Sequence, residues 1–106
     1  GKFAAAIEDE RRLVTPAICL LEVFKVIARQ RGESYALQAI AVMQQGRVID
    51  LDATLALRAA SLGLEHKLPL ADSIVYATAR ELGATVWTQD ADFEGLRDVE
   101  YVPAAR

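Results

Sequence analysis

This sequence predicts a three-layer α/β domain on a mostly parallel sheet. Three observations lead there. Apolar segments of helical period alternate with short β-branched runs along the chain. Prolines stand where helical segments begin (Pro16, Pro69), and glycines where they end (Gly32, Gly46, Gly63, Gly83). The chain has 106 residues, 53% of them hydrophobic, which suits one compact domain with a substantial core over residues 1–106.

The elements follow in order. Phe3 to Glu10 reads as a helix, and Leu13-Val14 as a short buried strand. Thr15 can cap the next helix. Pro16 fits its first position, where a missing N–H is harmless. That helix runs to about Arg31 and stops at Gly32. Ser34 caps a further helix, with Glu33 just outside it. Leu37, Ile40, Ala41 and Val42 recur at helical spacing before Gly46.

Val48 to Leu51 reads as a strand. Asp52 caps a helix from Ala53 to Leu62, ended by Gly63, and Leu64 to Leu68 is a loop. Pro69 opens a helix carried by Leu70, Ile74, Val75 and Ala79 and stopped by Gly83. Thr85-Val-Trp-Thr88 is a strand, Asp92 to Leu96 one helical turn, and Val99 to Val102 a last strand. In such sheets, sites form at the carboxyl ends of the strands.

Composition removes several function classes. No apolar run approaches the ~18 residues of a membrane span, and no signal-peptide pattern opens the chain, so a cytoplasmic location is expected. The single cysteine, Cys19, can form neither an internal disulfide nor a cysteine-type zinc site; it reads as a small buried hydrophobe. A net charge of -3 argues against coating nucleic acid by bulk charge. It leaves room for an enzyme that meets phosphates through a metal. Arg11, Arg12, Lys25, Arg29 and Arg31 read mostly as solvated surface. His66, the only histidine, falls in the expected loop and reads as a surface residue. There is no GxSxG elbow, Walker-type loop or GxGxxG.

The carboxylates carry the chemistry. Glu22 interrupts the apolar stretch Ala17 to Phe24, with Ile18, Cys19, Lys25 and Val26 as its neighbours on the helix. It is either paired with Lys25 or Arg29, or a metal ligand. Asp72 lies in the first turn of a mostly apolar helix. The helix dipole favours an acid there, and burial demands a partner for it. Asp90 and Asp92 follow a strand end, where either can serve as turn cap or ligand. Thr88, just before them, can orient a carboxylate or a metal-bound water. Carboxylates gathered in one place repel one another unless a hard cation holds them.

Thr15-Pro16…Glu22, Leu68-Pro-Leu-Ala-Asp72 and Thr88-Gln-Asp90-Ala-Asp92-Phe93 together resemble the PIN domain, especially the VapC-type toxins of toxin–antitoxin pairs. The resemblance implies a Rossmann-like fold and a metal-dependent ribonuclease. It implies Glu22, Asp72, Asp90 and Asp92 as acids around Mg²⁺ or Mn²⁺, with Thr88 beside them. It further implies an RNA substrate, a cognate antitoxin and a homodimer. The family opens with a strand ending in aspartate. This chain has no counterpart, and Asp9 is a poor substitute. It therefore looks like a PIN domain lacking its first strand and helix, with an open sheet edge to be filled by a dimer partner, a swapped segment or misassembly. The rival from another class is a catalytically inactive PIN scaffold that binds proteins. A receiver-like phosphoacceptor is a third reading, but it needs an acceptor aspartate after a central strand and a later lysine, and neither is evident.

Overall fold

The computed structural model describes residues 6–8, 13–88, 95–96 and 99–101. The elements are β1 (Ala6–Glu8), β2 (Leu13–Pro16), α1 (Ala17–Arg31), α2 (Glu33–Met43), β3 (Arg47–Ile49), α3 (Ala53–His66), α4 (Leu70–Leu82), β4 (Thr85–Thr88) and β5 (Val99–Tyr101). They form the α/β domain that the alternation predicts, on one sheet of order β3-β2-β1-β4-β5.

Both flanks of the sheet are parallel, β2 with β3 and β4 with β5. The central strand β1 is antiparallel to β2 and to β4. This corrects the expected helix from Phe3 to Glu10. Ala-rich sequence has high helix propensity, but propensity is worth only tenths of a kcal/mol per residue, ~0.7 at most for ordinary residues. Two unpaired sheet edges outweigh it. The direction of β1 follows from chain length. Only residues 9–12 separate β1 from β2, and a parallel connection needs a crossover of about a dozen residues. The slot between β2 and β4 is thus filled by this chain's own residues, rather than lying open as a sheet edge.

Ile7 faces Val14 on one side and Val86 on the other. All three are at most 1% exposed. Tyr76, Val75 and Ala79 of α4 and Cys19 of α1 pack with this row into the main core. Helix α1 packs against α2, α3 against α4, and α1 meets α4.

Helix ends show where side chains outvote local signals. Pro16, not Thr15, precedes the first turn of α1 (φ -63°, ψ 141°). Thr15 is held in β2 opposite Val48 and is buried. Gly32, at φ 93°, ends α1 and also starts α2, so Glu33 and Ser34 are both helical. Its N–H donates to Ala28 O (2.9 Å), and its carbonyl accepts from Ala36 N (3.2 Å). On α2 the buried residue is Ala36, while Leu37 and Val42 are exposed. That helix ends at Met43, before Gly46, and β3 stops at Ile49, short of Leu51.

Asp52 caps α3 as expected, its Oδ1 accepting from Leu55 N at 2.9 Å. Gly63 does not end α3, which runs on to His66 and closes at Lys67 in the left-handed region (φ 58°). Gly63 is instead the point of closest approach to α4: a Cβ there would collide with Ser73 Oγ and lie 3.2 Å from Ser73 Cβ. His66 is therefore helical and half-buried, its ring edge on Tyr76 at 5.6 Å.

Replacing Gly63 by Ala should cost about 1–3 kcal/mol, the usual range for an over-packed contact. Urea unfolding measures it. Adding Ser73→Ala to the same chain removes the Oγ and should restore part of the loss.

Candidate active site

Two helices deliver acids to the end of the sheet where β2 and β4 finish. Helix α1 follows β2 without a break, and Glu22 lies six residues on, about 9 Å along the axis. Helix α4 leads through Gly83 and Ala84 straight into β4. Its opposite end, which carries Asp72, therefore returns toward the carboxyl end of β4.

Helix α4 is buried over eight consecutive residues, Asp72 to Ala79. Leu70 is an exception to the expected apolar face, at 79% exposed. Asp72 itself is 5% exposed, and its Oδ2 is closed off from solvent. The N-terminal dipole of α4 favours its charge. Ser73, next along, anchors the turn by donating from Oγ to Pro69 O at 2.9 Å.

Glu22 is half-buried, and that burial raises its carboxyl above the ordinary 4.5. Among the described residues, no ion pair joins it to Lys25 or Arg29. Cys19, one turn earlier on α1, shows what surrounds the acid. Its thiol is pushed up to about 12, first by burial and then by the charges of Glu22 and of Asp72. One sulfur thus feels both carboxylates, across the contact between α1 and α4. The sequence placed Cys19 beside Glu22 through helical spacing. The approach of Asp72 from the other side depends on helix packing, which spacing does not encode.

Thr88 closes β4, its backbone opposite Tyr101 of β5. Its side chain, and Asp90 and Asp92 entirely, lie outside the described residues. Among the described residues, no three His, Cys, Asp or Glu side chains are grouped so as to hold a metal. Asp72 and Glu22 are hard oxygen donors of the kind Mg²⁺ takes, an ion that binds through one or two carboxylates and keeps several waters. His66 stands on α3, against Tyr76. Among the described residues, no helix is long and apolar enough to cross a membrane.

A family model described as "PIN domain" matches residues 1–99. A chain from a solved structure, "Toxin-antitoxin complex from Klebsiella pneumoniae", is similar over 80% of this chain and 69% of its own length, with 27% identity and a TM-score of 0.69. A search of curated proteins returned no match.

The unfolded chain holds Glu22 near 4.5 and the folded chain holds it higher, so the native state binds the extra proton just above 4.5. Stability should fall as pH rises through that window. Glu22→Gln should be the more stable form at neutral pH, with the gap closing below 4.5 in thermal unfolding. Cys19 should resist iodoacetamide at neutral pH, and Asp72→Asn should speed alkylation by lowering the thiol pKa. Mass spectrometry gives the rate. An unchanged rate would mean that the two groups do not interact.

Proposed function

The chain belongs to the PIN domain family, and within it we propose a metal-dependent endoribonuclease, the VapC-type toxin of a toxin–antitoxin pair. What supports this reading is buried Asp72 on α4 and half-buried Glu22 on α1, two helices that pack against each other. PIN domains are generally nucleases, and the similar solved chain comes from a toxin–antitoxin complex. A cognate antitoxin, a homodimer and a cytoplasmic location belong to the same proposal.

In this reading Asp72 and Glu22 hold Mg²⁺ or Mn²⁺, with Asp90, Asp92 and Thr88 completing the site. A bound divalent ion supplies a water of lowered pKa and offsets the charge of the scissile phosphate. The protein's own part is positional. Asp72 is fixed by the buried turn of α4, so its oxygens need no reorganisation when the phosphate arrives. Glu22, half-buried on α1, orients the attacking water. Cys19, buried one turn from Glu22, stays a neutral thiol.

One observation favours a second reading, an inactive scaffold that binds proteins. At the end of the sheet that bears the site, β1 brings Ala6 beside Trp87, so the central strand supplies no acid at that register. Calorimetry separates the two: Mn²⁺ binding in the millimolar range supports the nuclease, and none supports the scaffold.

Cleavage of a fluorogenic RNA should require Mg²⁺ or Mn²⁺. It should fall by at least about 100-fold in Asp72→Asn, the scale for losing one preorganised electrostatic group. Equal cleavage by that variant in chelator would overturn the assignment.

A further inference from the structure

Lys67 joins α3 to α4 in a backbone conformation that does not suit a lysine. Among the described residues it alone combines a side chain with a positive φ (58°). A Cβ in that region crowds its own backbone, and glycine or asparagine fits with less strain. The local hydrogen bonds do not ask for a lysine either. The N–H groups of Lys67 and Leu68 both donate to Gly63 O, the second at 3.0 Å. Ser73 Oγ donates to Leu68 O at 3.3 Å and to Pro69 O at 2.9 Å. These bonds use backbone groups and Ser73, and any residue at position 67 would leave them intact. The dipole of α3 favours a cation throughout its last turn, so it does not single out the left-handed position.

The neighbours of Lys67 are turned inward and Lys67 is not. His66 lies half-buried on Tyr76, Leu68 is half-buried against the main core, and Lys67 is exposed. Glu65 turns to His66 at 3.7 Å, and among the described residues Lys67 makes no ion pair. Asp72 is near. Lys67 stands two residues before Pro69 and Asp72 three residues after it on α4, so their Cα atoms lie within about 12 Å.

We propose that Lys67 is a substrate contact, its ammonium group holding a phosphate of the RNA strand beside Asp72. The inference rests on the nuclease reading above and adds a binding residue to that site. A strand that approaches Asp72 and Glu22 meets like charge, on a chain whose net charge is -3. A cation beside the acids offsets that repulsion. Lysine serves any base sequence, because phosphate is common to every nucleotide. Strained backbone kept at such a place accounts for a side chain that the turn itself does not favour.

Thermal unfolding and RNA binding, measured on the same chains, test the inference. Binding is read by anisotropy of a labelled oligouridine in Ca²⁺ buffer across a salt series. Lys67→Gly should melt about 2–5 °C above the parent, because the strain is gone. It should nevertheless bind the RNA about 10-fold more weakly, with a salt slope smaller by about 0.7, the share of one phosphate contact. Lys67→Asn, which suits the left-handed backbone without the freedom of glycine, should lose the same contact. Lys67→Arg should keep the slope of the parent. Arg47→Gln, which removes an exposed charge at the start of β3, away from the carboxyl end of the strands, should keep it too. A stabilised Lys67→Gly chain that binds RNA as the parent does makes Lys67 a helix cap only and overturns the contact, while cleavage by the parent still upholds the nuclease. A Lys67→Gly chain that melts below the parent removes the strain argument and overturns the contact as well. A parent that binds RNA through Lys67 but cleaves nothing with Mg²⁺ or Mn²⁺ overturns the nuclease and leaves the contact standing. A parent that binds no RNA overturns both.

Discussion

Ile7 makes one sheet out of two. On either side of it stands a parallel pair, β3 with β2 and β5 with β4, and the side chains of Val14 and Val86 close on it from both. Every residue of the row is essentially sealed from water. Burial of this kind is worth ~1.5–3 kcal/mol per aliphatic side chain. It is also what holds β2 and β4 at a fixed separation. Those strands lead out of and into the helices that carry Glu22 and Asp72. The acidic pair therefore inherits its geometry from an apolar contact that contains no functional group.

The pair itself works against the fold. A carboxylate closed off from water, a second one half-buried and a buried thiol held neutral are each costly to the fold. Nothing in the hydrophobic core requires these acids, since Val75, Tyr76 and Ala79 already supply its packing. Sites that hold electrostatic strain of this kind often give up stability for chemistry.

The sequence was most legible where one residue decides the backbone. Asp52 as a cap, Pro69 before α4 and Gly83 after it follow from local sterics and hydrogen bonding. Glu22 and Asp72 stood out because an acid among apolar residues contradicts its surroundings. What stayed hidden were matters of packing. The strand at Ala6–Glu8 exists only because two other strands leave room for it. Gly63 looked like a stop, and is a contact with Ser73. His66 looked like surface, and lies on Tyr76. Thr15 had the chemistry of a cap, but strand pairing with Val48 claimed it.

Gly32 has a mechanical consequence. It is shared by α1 and α2, so the chain has no slack between fifteen helical residues and the next eleven. Arg31 lies over the ring of Tyr35 at 5.8 Å, bracing the elbow from outside. The two helices form a single bent lever whose angle is set by a backbone conformation that residues with side chains rarely adopt. Tilting either arm moves the other, and Glu22 rides on the first.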